Sequence, residues 1–449
     1  MANTEGNDIG ESSEPPMPRL PPTIPPISRW NFVRNWWQRS ETTSEIAEAR
    51  LLSRLKFFRI DNQNIHKSDR SRTIAKVGLV PLRDGIRKIN TLVIEKIASS
   101  PSHLPEEDNP NTTVDKANQE MGYTQEPQTD LTLRIRTTSE DDPPSDKKVL
   151  VIAHGYGAGL GFFYRNYNAL SQVPGWKLYA IDWLGMGRSS RPKWRISKKQ
   201  NESWDRAIDE TEEFFVDSLE EWREIHKIEK MTLLGHSLGG YLSACYAIKY
   251  PDRVEKLILV SPAGIPENPT EPSESLDNRT KPNVIDTSSS ASNPHEDVKV
   301  DDLDPEIQMA GAQVPESQPP PTPRRRLPTW VRHVWEANIT PMSIMRKIGP
   351  FGPYLVNAYT TRRFHYLDDQ DKHDLYDYIY HISSSPGSGE YAMGIIFAPG
   401  AYARRPTGWI IEVVKRRKKF YKDLRSLRLF HKRDNPPAFD KAIIEEMTY

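Results

Sequence analysis

Gly235-His236-Ser237-Leu238-Gly239 stands between two apolar runs of different texture. Residues 231–234 have the length and side chains of a buried strand. Residues 238–250 read as a helix that stops before Pro251. A serine at the centre of G-x-S-x-G, between strand and helix, occupies a strained turn that lifts its hydroxyl above the sheet. Glycines two residues to either side let strand and helix close without side-chain collision. The five-residue pattern recurs by chance; with these flanks it points to an α/β architecture. Ser237 is the candidate nucleophile, and Gly235, His236 and Gly239 form the turn that carries it.

The surrounding text agrees. Short apolar strands are expected at 148–153, 177–182, 231–234 and 256–260, with helical segments between them. In residues 205–227, Ile208, Phe215, Leu219 and Trp222 share one stripe. Strands alternating with helices imply a mostly parallel sheet with both faces covered. Directly after the 148–153 strand comes His154-Gly155-Tyr156-Gly157-Ala158-Gly159. A glycine-rich turn there directs backbone N–H groups at the site. The amides of Tyr156, with Gly157 as the next choice, and of Leu238 are the expected holders of a tetrahedral oxyanion. Such a turn can also bind phosphate, but the G-x-x-x-x-G-K-[ST] pattern is missing. His154 reads as a structural hydrogen-bonder in this oxyanion loop. Asp182 ends the 177–182 strand, the wrong strand for a triad acid, and reads as a loop-fixing residue.

Lys+Arg and Asp+Glu both number 61, which argues against a general nucleic-acid binder. Hydrophobic residues make up only 36%, so a globular core is diluted by polar inserts. The single cysteine, Cys245, permits no intramolecular disulfide. No apolar run is long enough to cross a membrane, and the first residues, with Glu5, Asp8 and Glu11, do not resemble a secretory signal. No cofactor or metal is expected. The chain divides into a disordered stretch, 1–28; a Trp-rich basic amphipathic segment, 29–60; an α/β core, 61–265, with a disordered insertion at 99–129; a second disordered insertion, 266–326; a lid region, 327–406; and an atypical basic tail, 407–449. In the second segment Trp30, Trp36 and Trp37 alternate with Arg29, Arg34 and Arg39. Such rings seat at a lipid interface or dock on the domain's own surface.

Residues 154–170 (HGYGAGLGFFYRNYNAL), 179–192 (YAIDWLGMGRSSRP), 233–267, 335–356, 359–367 and 389–406 carry a specific resemblance. The chain resembles the α/β-hydrolase subgroup of fungal cardiolipin deacylase, lysophospholipid acyltransferase-like and phospholipase-like proteins, and the mammalian lipid-droplet lipase co-activator. The co-activator branch has lost its serine; this chain keeps Ser237. The resemblance implies an α/β-hydrolase fold with a helical lid and cleavage or transfer of acyl groups on glycerophospholipids. It also implies a peripheral membrane or lipid-surface setting, and a mitochondrial location by analogy with the fungal members.

The chain then departs from that pattern. The triad order in this fold is serine, acid, histidine. The subgroup's acid commonly sits in G-D-x-D-W and its histidine in H-x-x-x-x-D. Neither appears after Pro406. His431 has no aspartate five residues on, and His333, His365, His373 and His381 precede the required place. The acid and histidine are therefore unassigned, the sheet is expected to lack its C-terminal strands, and an altered reading frame near Pro406 is the expected cause. A serine without a base is a poor nucleophile. A non-catalytic lipid-binding or regulatory protein is the alternative.

Overall fold

A computed structural model describes residues 29–58, 72–97, 147–264, 328–399, 402–405, 426–430 and 436–448. The stretches 1–28, 99–129 and 266–326, the strand-like runs 131–136 and 409–414, and His431 lie outside them. One compact unit comprises residues 1–267 and 333–449; the other, 268–332, is described only over 328–332.

The chain order begins with helices α1 (Arg29–Trp37) and α2 (Glu41–Leu52). Strands β1 (Arg72–Pro81) and β2 (Lys88–Ile97) form a hairpin. Asp84 turns it, accepting the amides of Ile86 and Arg87 at 3.0 and 2.8 Å. Then follow β3 (Lys148–Ala153), α3 (Tyr164–Leu170), β4 (Trp176–Ile181), α4 (Asp205–Ile225), β5 (Met231–His236), α5 (Leu238–Lys249) and β6 (Val254–Val260). β2 joins β4 antiparallel, and β4, β3, β5 and β6 run parallel. Central β3 buries Leu150, Val151, Ile152 and Ala153 in succession, because helices cover both its faces. The stripe expected on α4 is the face it buries, and the Trp222 indole N–H donates to Thr91 Oγ1 at 2.9 Å.

The cap follows: α6 (Thr329–Glu336), α7 (Pro341–Lys347), α8 (Phe351–Arg363), α9 (Asp369–Ser384) and α10 (Ala392–Ile396), then a small ribbon of β7 (Phe397–Ala398) and β8 (Tyr402–Ala403). Met345, Val356, Leu375, Tyr378 and Ile379 of the cap pack with Leu51 and Tyr164. Arg50 of α2 ties to Asp377 of α9 at 2.7 Å. Phe32 of α1 meets the Tyr354 ring of α8 edge-on at 5.9 Å.

The expectation about the carboxyl end requires correction. The sheet does not stop at β6: β9 (Ser426–Phe430) pairs with it in parallel, giving the order β1-β2-β4-β3-β5-β6-β9. Nor is 407–449 only a basic tail. Its end forms α11 (Pro436–Thr448), which buries Phe439, Ile443 and Met447. Those residues recur every fourth position, one helical stripe. The helix is pinned by hydrogen bonds from Trp176 Nε1 to Met447 O (3.1 Å) and from Asn166 Nδ2 to Asp440 Oδ1 (2.8 Å).

Candidate functional site

Ser237 lies between the end of β5 and the start of α5, at φ 54° and ψ −119°. A non-glycine residue holds such a conformation only where its surroundings over-determine it. Here the backbone does so. Ser237 N donates to Val260 O at 3.0 Å, and Ser237 O accepts from Gly240, Tyr241 and Ala263 amides at 2.9, 3.2 and 3.0 Å. The nucleophile turn and the glycine-rich turn touch through their missing side chains. A Cβ on Gly239 would fall 2.3 Å from His154 O, and one on Gly155 would fall 2.9 Å from Ser237 Cβ. Gly235 closes β5, and Leu238 opens α5, where helix amides lack intrahelical partners. Gly157 lies under the cap: a Cβ there would meet Met342.

A cleft of about 230 Å³ opens on Ser237. His236, Gly155 and Tyr156 line it beside the serine; Phe162 and Phe163 form one side; Tyr359, Phe364 and Leu375 of the cap region form another. Phe439 of α11 also lines it. His236 meets the Phe163 ring edge-on at 6.5 Å. Tyr156 points its hydroxyl into a buried region near Glu390 and Arg346, and burial pushes that hydroxyl far above its ordinary range. Glu390 itself is gripped by Arg346, Nη2 to Oε1 at 2.6 Å and Nη1 to Oε2 at 3.0 Å, and accepts from Thr340 Oγ1 at 2.7 Å. That ion pair joins α7 to the turn before α10.

His154 is committed on both nitrogens. With the hydrogen on Nδ1, it donates to Gly155 O at 2.7 Å, while Nε2 accepts from the Trp183 amide at 3.1 Å. Burial depresses its pKa, so the ring is neutral. Asp182 is wholly buried and fixes loops: its carboxylate accepts from the Leu160 amide (2.6 Å), the Arg188 amide (2.7 Å) and Asn90 Nδ2 (2.8 Å). Among the described residues no imidazole hydrogen-bonds the Ser237 hydroxyl; His381 sits on α9 beside Asp377, Nε2 to Oδ1 3.5 Å. The described residues contain no group of three or more side chains arranged to hold a metal ion.

The sequence reading brought Ser237, Leu238, Tyr156 and the glycines to one place. It missed Phe439, Arg165 and Arg363, which also line the cleft. The helical stripe of Phe439, Ile443 and Met447 was the available signal for the first. The arginines carry no local signal, because their neighbours across the cleft are distant in sequence.

The sheet order, the serine turn and the covering helices define an α/β-hydrolase fold. The alpha/beta hydrolase fold family matches residues 148–284. A probable 1-acylglycerol-3-phosphate O-acyltransferase of Oryza sativa subsp. japonica is 36% identical over 283 residues, 61% of this chain and 54% of that protein. The (lyso)-N-acylphosphatidylethanolamine lipase of Homo sapiens is 33% identical over 278 residues, 61% of this chain and 63% of that protein. The chain thus spans just over half to under two thirds of the length of these relatives.

Proposed function

We propose that this chain is a serine-type acyl-ester hydrolase or acyltransferase acting on glycerophospholipids, of the cardiolipin deacylase, phospholipase or lysophospholipid acyltransferase kind. The observation that carries the reading is the strained Ser237 at the base of a cleft, in contact with the glycine-rich turn. In this reading the Ser237 oxygen attacks the acyl carbonyl, and the amides of Leu238 and Tyr156 hold the oxyanion. The acyl group passes to the serine and the lysolipid departs with a proton; water or a second lysolipid then takes the acyl group. The base that removes the serine proton is unassigned. The names of the rice and human relatives support phospholipid-type substrates.

The fluorophosphonate test is direct. The wild-type chain is expected to take a covalent fluorophosphonate label, and Ser237→Ala to lose it completely. A wild-type chain that stays unlabelled while still binding lipid would replace this reading with a second one. That second reading, a non-catalytic lipid-binding or regulatory protein, is favoured by the lack of an imidazole on the Ser237 hydroxyl among the described residues.

The partner surface belongs to the same proposal. Trp30 and Trp37 on α1 are 81% and 79% exposed, and Phe351 on adjoining α8 is 71% exposed. Arg34, Arg39 and Arg362 lie exposed on the same segments. Exposed indoles beside cations suit an anionic membrane surface. The resemblance to fungal mitochondrial proteins supports a mitochondrial membrane. In flotation with phosphatidylcholine–cardiolipin vesicles, the Trp30→Ala/Trp37→Ala double variant is expected to bind at least about tenfold more weakly. Equal flotation would remove α1 from the docking surface. No helix among the described residues is long and apolar enough to span a membrane.

A further inference from the structure

We propose that Arg165 and Arg363 form a phosphate-binding pair in the Ser237 cleft, and that this pair selects acyl esters bearing an anionic phosphate over neutral acylglycerols. The inference rests on the reading that an acyl lipid enters this cleft.

The charge of the lining is the first observation. The cleft wall holds two guanidinium groups, Arg165 and Arg363, and no aspartate or glutamate. A concave surface with one sign of charge concentrates ligands of the other sign. The rest of the wall is dominated by aromatic and aliphatic groups, among them Phe162, Phe163, Phe364 and Leu367. That combination suits an amphiphile: an apolar chain against the rings and an anion against the guanidiniums. Guanidinium is the side-chain group whose planar fork matches phosphate oxygens in a bidentate fashion.

The mounting of the two arginines is the second observation. Arg165 sits in the first turn of α3, on the sheet side of the cleft. Its neighbours on that helix are tied down: Tyr164 donates its hydroxyl to Asp371 at 3.0 Å, and Asn166 donates to Asp440 at 2.8 Å. Asp371 is further engaged by Arg54 Nε at 2.9 Å. These carboxylates stand behind the cleft, already joined to other donors. Arg363 ends α8, on the cap side, with its guanidinium 5.6 Å from the centre of the Phe364 ring, itself part of the wall. One cation thus comes from the sheet side and one from the cap. A phosphate held between them joins cap to core and orients the neighbouring ester toward Ser237. Both arginines are exposed at the surface, so water and salt weaken each contact without removing the pair's preference.

Equilibrium binding to the full chain tests this without requiring turnover. The probes are 1-hexanoylglycerol 3-phosphate, 1-hexanoylglycerol and inorganic phosphate, all monomeric, measured by calorimetry at low salt. The phosphate ester is expected to bind at least tenfold more tightly than the neutral ester. Arg165→Gln and Arg363→Gln are each expected to weaken the phosphate ester about tenfold and to leave the neutral ester unchanged. Arg362→Gln, a neighbour outside the cleft wall, is the control, and circular dichroism verifies folding of each variant. Equal binding of the two esters, or no effect of either substitution, overturns the proposal. Inorganic phosphate binding as tightly as the phosphate ester overturns the lipid assignment and makes the pair a free-phosphate site. Failure of Ser237 to label would leave all these outcomes readable, so the two proposals fail separately.

Discussion

Asp182→Ala is expected to lower the chain's stability by about 3–5 kcal/mol. Asp182 is 0% exposed, and its carboxylate is the shared acceptor for three groups from separate parts of the chain. Leu160 N belongs to the segment that follows the glycine-rich turn. Arg188 N belongs to the loop after β4. Asn90 Nδ2 belongs to β2 and also donates to Glu48 Oε1 of α2 at 2.8 Å. Removing the carboxylate leaves these buried donors without an acceptor, and an unmet buried donor costs more than a met one contributes. The substitution also opens space where Gly187 now presses against the carboxylate. Urea denaturation at pH 7.5 measures the loss, and Asp182→Asn, which keeps one acceptor oxygen, is expected to lose about half as much. A loss under about 1 kcal/mol would mean that water reaches the donors and that the loops stand without the aspartate.

That residue also shows what the sequence reveals and what it hides. The place of Asp182, at the end of an apolar strand and outside the triad order, was legible, and so was a loop-fixing role. Its partners were not: they lie 92, 22 and 6 residues away, and the Arg188–Glu48 contact spans 140. The serine turn was legible because every part of it is local: strand, glycines and helix within about twenty residues. β3 to β6 were legible because buried parallel strands are continuously apolar. β1 went unread although Asp84-Gly85 marks its hairpin turn, with Gly85 at φ 70°. The carboxyl end was misjudged because its basic run drew attention from the stripe in α11. The cleft's cap wall, Tyr359 to Leu375, depends on how α8 and α9 fold over the sheet, and no local pattern encodes that path.

Below pH 6.5 the chain is expected to lose stability through His226, and His226→Phe is expected to abolish that part of the loss. His226 follows α4 and is 7% exposed. Its ring lies 4.6 Å from the Trp222 ring and 5.1 Å from the Tyr179 ring. Burial, with Lys177 adding repulsion, pushes its pKa down to about 3 from 6.5. Nε2 has no hydrogen-bond partner among the described residues. Between pH 6.5 and about 3 the unfolded chain therefore holds a proton that the folded chain refuses. The unfolded state binds more protons, so stability rises with pH across that window and falls as pH is lowered. The contribution reaches roughly 3 kcal/mol by pH 4, at about 1.4 kcal/mol per unit. Glu48 opposes it over part of the range. Burial raises its carboxyl to about 7 from 4.5, so the folded chain keeps a proton between those values that the unfolded chain has lost. That contribution makes stability fall as pH rises from 4.5 to 7. The two trends offset each other from 4.5 to 6.5, and below 4.5 His226 acts alone. Phenylalanine retains the stacking against Trp222 and Tyr179, carries no proton and needs no acceptor. Urea midpoints at pH 7.5, 5.5 and 4.5 should therefore separate wild type from His226→Phe progressively as the pH falls, with the variant more stable. A constant difference across the three values would show that the imidazole takes up its proton inside the folded chain, and would place water or a carboxylate beside Nε2.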